Sequence, residues 1–211
     1  MRKHTAIFLI LLIIAAIPVV FMTACGKTEL ERSYARIADY RPVMLEGEGD
    51  GMRVTVISGI REDPYAADGK SSREKTDYTV ITLTGPGSSE EIPASFVAGD
   101  REVEVMLSPH PFRDGYSAEI PVRLDDDTCQ LDITVNGKTL TASSQLPGVD
   151  GEYALTLARE TLPDDGEIIL RLTRNSVTGN GRYWYVSFRT ESSSSSMLID
   201  AESGEVRVVR T

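Results

Sequence analysis

Between Met52 and Ser143 the hydrophobic residues recur at every second position in short runs, and no helical period interrupts them. Met52, Val54 and Val56 alternate with Arg53 and Thr55, and Tyr78 to Leu83 is apolar on both parities. Val103, Val105 and Leu107 follow, then Tyr116, Ala118, Ile120 and Val122, then Cys129, Leu131, Ile133 and Val135. A period of two sends successive side chains to opposite faces, so each run offers a sheet one apolar side. Gly85-Pro86-Gly87, Gly99-Asp100 and Asp125-Asp126-Asp127 punctuate the runs as turns. Asn136-Gly137 joins the Cys129 run to Lys138–Ser143 with the strongest two-residue hairpin signal. Roughly six or seven short strands in roughly 100 residues predict an antiparallel β-sandwich over residues 51–147.

That pattern resembles an immunoglobulin-like or fibronectin-type-III-like module, although the Cys…Trp…Cys spacing of immunoglobulin domains is absent. Leu146-Pro147-Gly148 breaks the alternation and suggests a domain boundary, with a second unit over residues 148–211. Within it, Glu152–Thr161 is ambiguous. Ala154, Leu155, Ala158 and Leu162 share a helical face behind a possible Asp150 cap, yet Tyr153, Leu155 and Leu157 also fit a strand. Strand-like runs at Glu167–Thr173, Tyr183–Arg189, Met197–Asp200 and Val206–Val209 complete it. Tyr183-Trp184-Tyr185-Val186-Ser187-Phe188, followed by Leu198-Ile199-Asp200-Ala201-Glu202-Ser203-Gly204-Glu205-Val206, resembles the PepSY module of exported bacterial proteins. The resemblance implies a small α+β fold, a helix at 152–161, and regulation of an exported enzyme such as a peptidase. Read physically, Asp200 and Gly204 bracket a tight turn, a structural rather than catalytic role.

The amino terminus carries a different signal. Arg2, Lys3 and His4 precede an uncharged stretch, AIFLILLIIAAIPVVFM, and then Thr23-Ala24-Cys25-Gly26. A cationic start, an apolar segment and small residues before a cut are the layout of a secretory signal. Met22-Thr23-Ala24-Cys25 resembles the lipobox of bacterial lipoproteins, with Met22 where leucine is usual. The resemblance implies cleavage between Ala24 and Cys25, a diacylglycerol thioether on Cys25, and attachment at the outer face of the cell membrane. Residues 1–24 are then the signal peptide, and residues 25–50 the lipidated cysteine and a tether. Pro42 and the sequence LEGEGDG argue against a long helix there.

The remaining composition narrows the chemistry. The chain carries a net charge of −10, and loss of Arg2 and Lys3 makes the exported body more acidic still. Nucleic acid would repel it. With Cys25 lipidated, Cys129 has no intramolecular disulfide partner, and strand alternation places it on a buried face. His110 in Ser108-Pro109-His110-Pro111 is the one histidine beyond the leader, too few for a zinc site or an ordinary triad. Asp125, Asp126 and Asp127 are weak candidates for a hard cation, since three consecutive aspartates point in different directions. The polar stretch 61–77 is a long surface loop. Tyr183 and Tyr185 fall on one side of their strand and Trp184 on the other, so one side fills a core, and the other is either covered by the neighbouring domain, the favoured reading, or exposed as a binding patch. The expectation is a non-catalytic, cofactor-free binding or regulatory lipoprotein whose partners are the membrane and another envelope protein. A structural or sensory role on wall polymer is the first alternative, and an enzyme of unrecognised type the second.

Overall fold

The computed structural model describes residues 27–62, 74–86, 90–111, 114–174 and 181–210. The leader, the Ala24-Cys25 junction and most of the 61–77 stretch lie outside them. Helix α1 (Glu29–Ser33) opens the described chain, and a single 3₁₀ turn (Tyr34–Arg36) follows. Thr28 caps α1 by accepting from the Glu31 N–H at 3.1 Å, while Glu31 reaches back to the Thr28 N–H at 2.9 Å.

Strands β1 (Ile37–Gly49), β2 (Met52–Glu62), β3 (Lys75–Thr84), β4 (Ile92–Ala98), β5 (Arg101–Pro109) and β6 (Gly115–Ile120) come next. β7 (Gln130–Val135) and β8 (Lys138–Ser143) form the hairpin expected at Asn136-Gly137, both of which adopt positive φ (49° and 77°). Among the described residues the strand order β1-β2-β3-β6-β5-β4-β7-β8 returns to β1, where Glu46 pairs with Ser143. The result is an eight-stranded antiparallel β-barrel. At the closure Gly47 lies so close to β8 that a Cβ would overlap the Thr141 carbonyl oxygen. Inward side chains such as Val54, Val56, Ile81, Leu83, Phe96, Leu107 and Ile133 fill the interior.

Helix α2 (Gly151–Thr161) and strands β9 (Glu167–Arg174), β10 (Arg182–Arg189), β11 (Ser194–Asp200) and β12 (Val206–Arg210) follow the barrel. They do not form a separate module. β9 pairs in parallel with β1, through Tyr40 opposite Leu170 and Arg41 opposite Arg171, and β10, β11 and β12 extend the sheet outward. β1 therefore belongs to the barrel and to this wing together. α2 covers the wing face that continues the barrel interior, burying Ala154, Leu155 and Ala158 against Leu170, Trp184 and Ile199. Asp150 caps it, accepting from the Tyr153 N–H at 2.8 Å. α1 docks on α2 through the Glu29–Arg159 ion pair and a bond from the Glu29 N–H to Glu152 Oε1.

The immunoglobulin-like sandwich followed by a small PepSY-like α+β module is thus corrected. One sheet closes on itself and then runs on. Period-two alternation identifies strands but not which edges meet, and barrel and sandwich satisfy the same pattern. The closing strand was also the one expected to be a spacer. β1 carries a bulge between Tyr40 and Val43, which breaks its alternation at Arg41-Pro42.

Candidate functional site

The bulge sets the geometry of the most chemically distinctive surface. Two residues, Arg41 and Pro42, oppose Gly59 on β2 where a regular ladder would place one. The backbones meet so closely that a Cβ on Gly59 would overlap the Tyr40 carbonyl oxygen and stand 2.9 Å from Arg41 Cα. Tyr40 turns to the α2 side with Leu170, and its register neighbours Asp39 and Arg41 turn to the opposite, outer side.

There they meet side chains from both halves of the sheet. Asp39 accepts from Arg171 Nε at 2.8 Å, from Arg171 Nη2 at 2.5 Å, and from the Tyr78 hydroxyl at 3.3 Å. Arg61 stacks over the Tyr78 ring, 4.8 Å from its centre, and pairs with Glu119. Tyr78 is only 4 % exposed, and burial with the Asp39 carboxylate beside it pushes its hydroxyl pKa up to about 12. Arg41 is different. Its Nε is enclosed and has no hydrogen-bond partner among the described residues. Burial lowers its pKa from the ordinary arginine value, Arg171 acts the same way, and Tyr78 and Asp39 oppose them.

From Arg41 a row of side chains crosses the outer face of the wing. Arg41 pairs with Arg171, Arg171 with Tyr185, Tyr185 with Leu198 and Leu198 with Val208. Strands about 4.8 Å apart put Tyr185 roughly 10 Å from Arg41. Tyr183 and Tyr185 are half-buried on this face, while Trp184 points the other way, 1 % exposed, with its Nε1 donating to the Val149 carbonyl at 2.8 Å. The alternation expected for the three aromatics is what forms, and Trp184 is the ring that fills the core. The chain matches no family model, no curated protein and no solved structure. The chemistry of the face is therefore read from its own residues: guanidinium groups, phenol rings and aliphatic carbons.

The other sequence candidates lie apart from it. Asp126 accepts from the Tyr40 hydroxyl at 2.9 Å and pairs with Arg123 at 2.5 Å, which holds the β6–β7 connection over the barrel. Asp125 and Asp127 are exposed in the same turn, and the described residues contain no acidic, histidine or cysteine group of three that could hold a metal. Cys129 is exposed, a correction to the buried position expected. The ladder ends at Gln130 opposite Ser143, so alternation buries Leu131, Ile133 and Val135 and stops short of Cys129. His110 donates its backbone N–H to the Gly115 carbonyl at the β5–β6 connection. A hollow of about 480 Å³ runs along β4 beside Ser95, Glu104, Met106 and Thr134. Asp200 accepts from the Glu202 and Ser203 N–H groups at 3.0 Å, and the Ser203 bond is the largest of the influences that lower its pKa. With Gly204 at φ 74° and its N–H donating to the Asp200 carbonyl, Asp200 and Gly204 bracket the tight turn expected of them.

The signal that could have pointed to Arg41 was its neighbour Pro42 in an otherwise apolar stretch, a residue admitted within sheets at bulges.

Proposed function

We propose that the chain is a non-catalytic binding protein of the bacterial cell envelope, held at the outer face of the membrane by lipid on Cys25. The observation that carries this reading is Met22-Thr23-Ala24-Cys25-Gly26 placed at the end of an uncharged apolar segment with a basic start. Two acyl chains at about 0.8 kcal/mol per buried CH₂ hold a protein stably at a bilayer, where one chain binds only marginally. No helix among the described residues is long and apolar enough to cross a membrane, and this reading needs none.

The start of α1 supports a short attachment. Thr28 is tied to Glu31 by the reciprocal cap, and α1 is pinned to α2 by Glu29. At about 3.3–3.6 Å per residue, a lipid on Cys25 would sit within roughly 10 Å of Thr28, so the body would ride close to the head groups. Binding rather than turnover is favoured by the side chains gathered at β1. Arginine forks and tyrosine rings hold charged and flat groups, and none of them is paired with an activated nucleophile.

The test is metabolic labelling with palmitate of the full chain and of Cys25→Ser. Label on the wild type, none on the variant, and release of the variant from the membrane fraction are expected. Equal labelling of both, or no label on either, would remove the proposal.

A further inference from the structure

We infer that Arg41 is the centre of a binding site for a single-charged oxyanion, a carboxylate or a phosphodiester, on the outer face where β1 joins barrel and wing. The charge balance at this place is the first argument. Among the described residues Arg61 is matched by Glu119 and Arg171 by Asp39, which leaves Arg41 as the positive charge with no carboxylate paired to it. One missing negative charge calls for a monoanion.

The second argument is hydrogen bonding. The Arg41 Nε is closed to any ligand, but its Nη groups are neither enclosed nor bonded among the described residues, and an oxyanion reaching them forms charge-assisted bonds that the chain itself does not supply. Asp39 cannot do so. Its Oδ2 takes Arg171 and its Oδ1 takes the Tyr78 hydroxyl.

The third argument is how the position is made. The side chain is aimed by a bulge that Gly59 alone makes room for, and bulges serve to re-aim a side chain or to end a pairing. Here the ladder resumes at Val43 opposite Ser58, so the bulge does not end it. Beyond Arg171 the row continues with Tyr185 and Leu198, a ring and an aliphatic chain. A ligand with its anion on Arg41 and a flat or apolar body lying across the wing fits that order of side chains.

This names the ligand class for the binding reading above and is independent of the anchor. Its failure would leave labelling at Cys25 unchanged. The experiment follows the arginine Nε–Hε resonances of the full chain, ¹⁵N-labelled and held in a zwitterionic detergent. Sodium acetate and sodium dimethyl phosphate are titrated in separate arms against sodium chloride at matched ionic strength. A saturable shift of the Arg41 and Arg171 signals in at least one oxyanion arm and none in chloride is expected, and the arm that saturates assigns carboxylate or phosphodiester. Arg41→Gln should weaken the response read at Arg171 at least tenfold, and Arg41→Lys, which keeps charge but not the fork, should fall between. Arg53→Gln, on the exposed Glu48 pair of the barrel, should leave it unchanged. Shifts that only follow ionic strength, or equal saturation in wild type and Arg41→Gln, would overturn the site.

Discussion

Gly59 has no side chain, and the fold depends on that. A methyl group there would overlap the Tyr40 carbonyl oxygen, which belongs to the bulged backbone and has no flexible end to swing aside. Gly59→Ala should therefore cost about 1–3 kcal/mol, the usual range for forcing extra volume into a packed site, read as a lower urea midpoint with an unchanged slope. Tyr78, on the adjacent strand, links stability to pH. In the unfolded chain its hydroxyl titrates near its ordinary value of 10.0, and in the folded chain near 12. Between those values the unfolded chain has lost a proton that the folded chain keeps, so stability is intact below pH 10 and falls as pH rises toward 12. Burial raises Tyr40 as well, so Tyr78 accounts for part of the decline. Urea midpoints should drop between about pH 10 and about pH 12, and drop less in Tyr78→Phe, which has no proton to release. Equal slopes in the two proteins would remove Tyr78 from the account.

The elements differ in how openly the sequence displays them. The β7–β8 hairpin could be read directly, because Asn136-Gly137 accepts the positive φ angles that a two-residue turn demands. α2 could be read once Asp150 was weighed against Tyr153-Leu155-Leu157. The cap satisfies a helix N–H, and Ala154 and Ala158 let the helix lie flat on Leu170 and Trp184. Asp150→Ala should accordingly lower stability by about 1 kcal/mol, seen in the thermal or urea midpoint. β1 and β4 could not be read. In β1 the bulge shifts the apolar parity between Tyr40 and Val43, and in β4 the inward residues include Ala94 and Ala98, too small to mark an apolar run. The candidate site was half visible. Tyr183 and Tyr185 follow from alternation alone, whereas Arg41 gains its meaning only when β9 comes alongside β1. The Asp39–Arg171 contact spans 132 positions of chain, and no local pattern encodes it.

At the scale of the molecule, one strand does the joining. β1 closes the barrel with β8, pairs along its length with β2, and carries the wing through β9. The two cores lie on the same side of one sheet, and Tyr40 and Ile60 bring β1 and β2 into the second of them. Unravelling the wing would uncover β1, and opening the barrel would strip the wing of its base. The far edge, β12, is where pairing stops among the described residues, with Val206, Val208 and Val209 exposed along it. A sheet built this way should unfold as a unit, and the sequence supplies a convenient reporter, because Trp184 is its single tryptophan and sits in the wing core. Urea unfolding of the full chain, followed together by Trp184 fluorescence and by far-ultraviolet circular dichroism, reads the wing with one probe and all the strands with the other. Superimposed transitions are the result expected of a barrel and wing that share β1. A fluorescence change completed before the dichroism change begins would contradict it.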